Sequence, residues 1–270
     1  MQKKTTSWGK VAGWYDEMLG DSDTYQEKVI LPNLTRLLQL KRGLRVLDLA
    51  CGQGYFSRAF AAKGAGVTGA DISPELIKKA REHSPKEINY LVAPADKLTG
   101  LKEKSFDAVT IVLALQNIQN LDGTLAECRR VLDKCGRLLL VLNHPAFRIP
   151  KKSEWGFDEK TQMQYRRVDA YLAEAHANIQ MPPRLNAAQG RVDRTNSNKF
   201  VLGKSGGVTT ASFHRPLQLY VKALAKNGFA VTRLEEWISH RTSEPGPRAA
   251  AEDKARKEIP LFLFLEATAL

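Results

Sequence analysis

The sequence predicts an α/β fold of the doubly wound kind, on three observations. Val46-Leu47-Asp48-Leu49 is apolar around one acid, as a buried parallel strand is, and it runs into the glycine-bearing turn Ala50-Cys51-Gly52-Gln53-Gly54. Tyr55 to Lys63 follows with helical spacing and stops at Gly64. Ala65 to Ala70 is a second apolar run, closed by Asp71. Strand, tight loop, helix, strand is the unit from which open parallel sheets are wound.

Each element follows in chain order. Before that unit, Val29, Leu34, Leu37, Leu38 and Leu40 recur at helical spacing, so an amphipathic helix leads into the first strand and residues 1–40 form a helical cap. Leu31-Pro32 either interrupts that helix or starts a second segment. Gly52 and Gly54 let the backbone turn tightly beneath a ligand, where a Cβ would clash. Asp71 stands about twenty residues past the loop, the place from which an acid accepts both hydroxyls of a ribose. Each such charge-assisted hydrogen bond is worth roughly 1.5–3 kcal/mol. A dinucleotide loop carries a third glycine where this chain has Ser57, and Asp48 just upstream repels a diphosphate while attracting an ammonium group. These residues favour a nucleoside with a cationic amino-acid tail.

Farther on, a strand ends near Asn143-His144-Pro145, yet residues 146–214 intervene before Arg215-Pro216-Leu217-Gln218-Leu219-Tyr220-Val221 starts a helix, with Pro suited to its first turn. Long insertions at the C-terminal ends of strands sit over the ligand crevice, so 146–214 is expected to be a lid that selects the substrate. Within it Trp155, Phe157, Tyr165 and Tyr171 are candidates to line a pocket, packing being the alternative for the two tyrosines. The Gly-, Asn- and Pro-bearing stretch from Met181 to Gly207 reads as partly mobile. Gly228 stops the helix, Phe229 to Leu234 is a strand, a short charged helical stretch follows the polar excursion at Ser243 to Arg248, and Pro260 to Ala267 is a buried strand. The core is thus 41–145 together with 215–270.

The acid and small-x-Gly-x-Gly turn from Asp48 to Gly54, with the order of elements around it, resembles class I S-adenosylmethionine-dependent methyltransferases of the small-molecule type. The likeness covers about 44–145 well and 215–270 in outline. It implies a Rossmann-like, seven-stranded, mostly parallel sheet whose last strand is antiparallel, S-adenosylmethionine as cofactor and S-adenosylhomocysteine as product. Carried residue by residue, it places Asp48, Ala50, Gly52 and Gly54 at the methionine part, Asp71 on the ribose and Ile72 on the adenine. Pro94-Ala95-Asp96-Lys97-Leu98 matches the loop after the family's third strand, bringing Ala95 and Asp96 to the cofactor, with Asp96 accepting from the adenine amino group; Pro94 replaces the usual acid. Ser105-Phe106-Asp107-Ala108-Val109 matches the fourth strand, with Asp107 a structural acid at its entrance, and Ile111, Val112 and Gln116 follow at the floor of the site. Leu132 to Leu139 corresponds to the helix end, Gly turn and fifth strand. Tyr15-Asp16 resembles a pair common in such caps, so Tyr15 and Tyr25 are expected over the methionine end, where aromatic faces suit a sulfonium. For both tyrosines the alternative is packing the cap on the core.

A sulfonium methyl is already activated, so its transfer requires in-line approach to about 3–3.5 Å more than acid or base help. A hydroxyl acceptor benefits from a base; an amine or thiol needs little. His144, just past the fifth strand, and His214, where the insertion rejoins the core, are the candidate catalytic bases, with capping or packing as the alternative. Trp155 and Tyr165 are the candidate substrate-binding residues. The reading is methyl transfer to a small-molecule acceptor; the rivals are a nucleic-acid or protein methyltransferase, a noncatalytic S-adenosylmethionine-binding protein and, more distantly, a nicotinamide oxidoreductase. Leu113-Ala114-Leu115-Gln116-Asn117 stands where an Asn-Pro-Pro-aromatic or Asp-Pro-Pro-Tyr motif would mark amino methylation.

Composition bounds the rest. A chain of 270 residues, 43% hydrophobic, suits one large α/β domain with an insertion. No apolar run approaches the roughly 18–20 residues of a membrane span, and Met1 to Ser7 is not followed by an apolar secretion segment, so a cytoplasmic monomer or homodimer is expected. Cys51, Cys128 and Cys135 lack metal spacing; no metal is expected, and Cys51 is read as packed inside the turn. The net charge of +12 is spread along the chain without a dense basic arm, which argues against nucleic acid and is compatible with a negatively charged small substrate.

Overall fold

Apolar runs long enough for strands alternate with helically spaced ones, and they fold as that alternation requires. The computed structural model describes residues 23–180 and 209–270. The strands are β1 (Arg45–Leu49), β2 (Gly66–Asp71), β3 (Asn89–Val92), β4 (Phe106–Val112), β5 (Leu132–Asn143), β6 (Ser153–Asp158), β7 (Met163–Val168), β8 (Ala175–Gln180), β9 (Thr209–His214), β10 (Phe229–Trp237) and β11 (Phe262–Ala269). The helices are α1 (Leu31–Leu38), α2 (Tyr55–Ala61), α3 (Pro74–Glu82), α4 (Leu121–Val131), α5 (Leu217–Lys226) and α6 (Ala249–Glu258).

Seven strands form one sheet in the order β10-β11-β5-β4-β1-β2-β3. All neighbours are parallel except β11, which runs antiparallel to both β5 and β10. The chain winds outward from β1 through β2 to β3, then returns to β4 on the other side. The crevice of such a sheet opens at this reversal, beyond the carboxyl ends of β1 and β4.

Strand alternation sends side chains to two layers of core. Leu47 and Leu49 of β1 pack with Leu125, Cys128, Tyr220 and Leu224 on the face covered by α4 and α5. Val46 faces the other way, with Leu34 and Leu38 of α1, Phe56 and Phe60 of α2, and Ile77 of α3. Asp48, two residues from Val46, points toward α2 on that second face, where Ser57 meets it.

The punctuation follows the glycines and prolines. A π-helical turn, Gln26–Ile30, precedes α1, whose first turn holds Pro32, so Leu31-Pro32 starts a second segment. Gly64 (φ +91°) ends α2 and Gly228 (φ +75°) ends α5. Pro216 sits one residue before α5 rather than inside it. Near the start of β5 the left-handed residue is Cys135 (φ 58°), not Gly136.

The insertion builds two small antiparallel pairs, β6 with β7 and β8 with β9. The Met181 to Gly207 stretch and Tyr15 lie outside the described residues. Among the described residues no helix is long and apolar enough to cross a membrane, and no group of His, Cys, Asp or Glu is arranged to hold a metal. Cys51 and Cys128 are buried free thiols and Cys135 is exposed.

Candidate functional site

At the end of β1 the backbone turns back on itself through three left-handed residues, Ala50 (φ 59°), Gly52 (φ 57°) and Gly54 (φ 79°). Glycine adopts this region without strain and alanine does not. Asp71, at the end of neighbouring β2, clamps the turn. Its Oδ2 accepts the Gly52 N–H at 3.0 Å and its Oδ1 accepts the Ser73 N–H at 2.9 Å. Burial pushes the Asp71 carboxyl up, while the N–H groups of Ser73, Gly52 and Ile72 hold it down. Each oxygen keeps a lone pair for a further donor, as a diol would supply.

The two glycines expected to clear space for a ligand do different work. Among the described residues a Cβ at Gly52 would meet no protein atom within 4 Å, so that side of the loop is open to them. At Gly54 a Cβ would collide with the Tyr90 hydroxyl, and Gly69 of β2 is likewise closed by the Tyr90 ring and by Cys51 Sγ. Gly54 therefore makes room for a protein ring, which corrects the expectation. Tyr90, hydrogen bonded to the Ser84 hydroxyl at 2.9 Å, was not singled out from sequence. Glycines facing it on two elements were the available signal.

Asp48 lies beneath this loop, only 1% exposed. Its Oδ2 accepts the Ser57 hydroxyl at 2.6 Å, and its Oδ1 accepts that of Thr110, the residue opposite on β4, at 3.4 Å. Burial pushes the carboxyl up to about 6 against the pull of both hydroxyls. Ser57 thus replaces a third glycine because it satisfies this acid. Asp48 supplies negative potential from below the turn rather than a surface contact.

On the far side, Ile72 follows Asp71 half-buried, and Ala95 packs half-buried on the core. Asp96 accepts from Asn120 Nδ2 at 2.8 Å through one oxygen, and no described group engages the other. Ile111 is fully buried, so only its backbone can meet the crevice, while Val112 beside it is half-buried. Gln116 stands on a 3-10 turn, Leu115–Asn117, donates to the Leu113 carbonyl at 2.8 Å and leaves its Oε1 buried without a partner among the described residues. An orphan acceptor of this kind calls for a donor. Arg215, which sequence reasoning did not select, holds that loop: it donates to the carbonyls of Leu115, Ile118 and Gln119 at 3.3, 2.8 and 2.9 Å.

The two candidate bases separate. His144 has both ring nitrogens committed, Nε2 to Glu236 Oε1 at 2.7 Å and Nδ1 to the Ala146 N–H at 3.2 Å. Burial lowers its pKa and Glu236 only partly restores it. It pins the end of β5 to β10 and has no nitrogen left for an acceptor's proton, which corrects the expectation. His214 donates Nε2–H to the Tyr171 carbonyl at 2.8 Å, and no described group engages Nδ1.

The aromatic candidates are mostly structural. The Tyr25 hydroxyl pairs with Ser239 Oγ at 3.2 Å, its ring stands edge-on to His240 and Phe262, and the Arg241 guanidinium lies 4.7 Å from its centroid. That is the packing alternative. Tyr165 is 48% exposed and lies across Gly156 of the β6–β7 hairpin, away from any enclosed surface. Trp155 is half-buried beneath Arg166, 5.1 Å from its centroid. The Tyr171 hydroxyl accepts the Leu217 N–H at 3.0 Å, at the start of α5. A recess of about 480 Å³ bordered by Leu38, Lys41, Asp107 and Asp133 lies at the amino ends of β4 and β5, opposite the crevice, and Arg45 bridges its two acids.

Comparison with known proteins agrees with this geometry. The family model for the methyltransferase domain matches residues 47–140, from β1 through β5. Residues 47–140 are a methyltransferase domain. A ubiquinone biosynthesis O-methyltransferase of Xanthomonas oryzae is 39% identical over 101 residues, 36% of this chain and 42% of that protein. A demethylmenaquinone methyltransferase of Tropheryma whipplei is 36% identical over 111 residues, 41% of this chain and 46% of that one. The chain thus spans less than half the length of either relative. Among solved structures, an S-adenosylmethionine-dependent methyltransferase of Mesorhizobium loti superposes with a TM-score of 0.65 at 26% identity, over 88% of this chain and 96% of its own.

Proposed function

We propose that this methyltransferase domain makes the chain an enzyme that moves a methyl group from S-adenosylmethionine to a small-molecule acceptor, releasing S-adenosylhomocysteine. The observation that carries the reading is the clamp of Asp71 on Gly52: a buried carboxylate with spare lone pairs on both oxygens, beside a loop whose open side has room for a sugar. The residues present fit the cofactor. Asp71 accepts the ribose hydroxyls, Ile72 and Ala95 flank the adenine, and the free oxygen of Asp96 accepts from its amino group. Asp48 and the turn from Ala50 to Gly54 underlie the methionine part, with the acid countering positive charge above it. Gln116 Oε1, from the loop after β4, accepts from a donor on that part. When bound, the cofactor supplies a methyl already activated for displacement.

His214 is the base in this reading. With Nε2–H held by the Tyr171 carbonyl, Nδ1 is the nitrogen that takes a hydroxyl proton. Its position where the insertion rejoins the core joins the base to the segment expected to select the acceptor. Residues 146–214 act as the lid, and Trp155 contributes to the acceptor's surroundings. Both curated relatives act on small molecules, which supports a small acceptor here. A cytoplasmic location for the enzyme is part of the proposal. Incubation with methyl-labelled S-adenosylmethionine and a panel of phenols, amines, thiols and carbon acceptors tests the proposal: label moving to one class supports it, and tight S-adenosylhomocysteine binding with no transfer to any class favours a noncatalytic protein.

A further inference from the structure

Arg148 lies on the turn that leaves β5, where its N–H bonds the His144 carbonyl at 2.8 Å. Other arginines of this protein meet carboxylates: Arg45 with Asp107, Arg130 with Glu127, Arg137 with Glu266. The guanidinium of Arg148 has no hydrogen bond or ion pair among the described residues. It lies deep among protein atoms, while the residue as a whole keeps some accessible surface. Burial lowers its pKa, and the one group that counters is Tyr25.

A second guanidinium stands beside it. Arg166 of β7 donates to the carbonyl of Phe147, the residue before Arg148, at 2.8 Å, and to the Ser153 carbonyl and hydroxyl at 3.3 and 2.9 Å. Those bonds fix Arg166 as a strut between the hairpin and the turn. Burial and the like charge of Arg148 depress it to about 10. Glu154 offsets part of the charge on Arg166, but among the described residues no carboxylate bonds either guanidinium, an arrangement that is unfavourable unless an anion completes the group. Aromatic rings stand nearby: Trp155 lies under Arg166, and the Phe147 ring rests 4.8 Å from that of His144.

Position identifies whose anion this is. The Gly loop belongs to β1, and β5 is the second strand over, so the turn carrying Arg148 is displaced about 10 Å across the sheet. On the methyl-transfer reading the Gly loop at the end of β1 would hold the cofactor's methionine part, which leaves the turn after β5, two strands away, to the acceptor.

We propose that Arg148, with Arg166 beside it, forms a subsite for a carboxylate on the acceptor. The word acceptor rests on the methyl-transfer reading; the anion site does not. A guanidinium fork matches a carboxylate in plane, and the chain's net charge of +12 favours approach of an anion.

Calorimetry on the full chain tests this with two probe pairs, acetate against acetamide and benzoate against benzamide, in the wild type, Arg148→Gln and Arg148→Lys. S-adenosylhomocysteine is titrated separately into each. The wild type is expected to prefer at least one carboxylate over its amide tenfold or more. Arg148→Lys keeps part of that preference and Arg148→Gln abolishes it, with S-adenosylhomocysteine affinity within twofold of wild type in both. No preference in the wild type, or an equal preference in Arg148→Gln, overturns the proposal. So does a tenfold loss of S-adenosylhomocysteine affinity in Arg148→Gln, which would assign the arginine to the cofactor's own carboxylate. Failure of the wild type to bind S-adenosylhomocysteine sinks the methyl-transfer reading instead, and the carboxylate preference is measured without it.

Discussion

Replacing Asp48 by Asn is expected to stabilise the protein while weakening its hold on the cofactor. The carboxyl is fully enclosed, and burial raises its pKa from 3.8 to about 6. At roughly 1.4 kcal/mol per pH unit, that rise costs the folded state about 3 kcal/mol once the acid is ionised. The sign follows from proton binding. Between pH 3.8 and about 6 the folded chain holds a proton that the unfolded chain has released, so stability falls as pH rises through this window, and the full cost applies above it. Asparagine is neutral throughout and keeps both partners: its carbonyl accepts from Ser57 and its amide donates to the Thr110 hydroxyl. Urea unfolding of both proteins from pH 3.5 to 8 reads the difference directly, because other titrating groups cancel. The variant should gain about 3 kcal/mol above pH 6.5 and nothing near pH 3.5. It should also bind S-adenosylhomocysteine more weakly, since the negative potential under the loop is gone. A difference independent of pH, or a variant less stable at pH 7.5, would refute the argument that burial of an ionised acid is what strains this turn.

Three further outcomes follow from the same geometry. Asp71→Ala removes two charge-assisted acceptors and should weaken S-adenosylhomocysteine binding about 100-fold by calorimetry; unchanged affinity removes the ribose assignment. Gly54→Ala forces a left-handed alanine against Tyr90 and should lose about 1–3 kcal/mol of stability, whereas Gly52→Ala, strained but unobstructed by protein, should lose less stability and more cofactor affinity; thermal melts beside calorimetry separate the two, and the reverse order contradicts the open-side assignment. His214→Gln should lower the rate on a hydroxyl acceptor by about 10²–10⁴, while His144→Gln lowers the melting temperature and leaves kcat in place; kcat and a thermal melt of each variant decide between them.

The central sheet was legible because its signals are local. Val46 to Leu49, the turn at Gly52 and Gly54, the stop at Gly64 and the acid at Asp71 are adjacent in sequence and in space, and each has a backbone reason to be where it is. What sequence missed depends on pairs far apart in the chain. Tyr90 explains Gly54 only after β3 has come to lie beside β2. Arg215 reads as one more basic residue until it caps a loop some hundred positions earlier, a contact that no periodicity encodes. His144 looked like a base from its place after β5, and Glu236, brought in by β10, is what occupies it. The insertion's β6–β7 hairpin was hidden because β7 alternates exposed and half-buried residues without a run of apolar ones.

A crystal structure with S-adenosylhomocysteine tests the central claim most directly. The account predicts the two ribose hydroxyls on the two oxygens of Asp71, with the sugar over the open side of Gly52. A ligand seated elsewhere, or a diphosphate bound at the turn above Asp48, would contradict it.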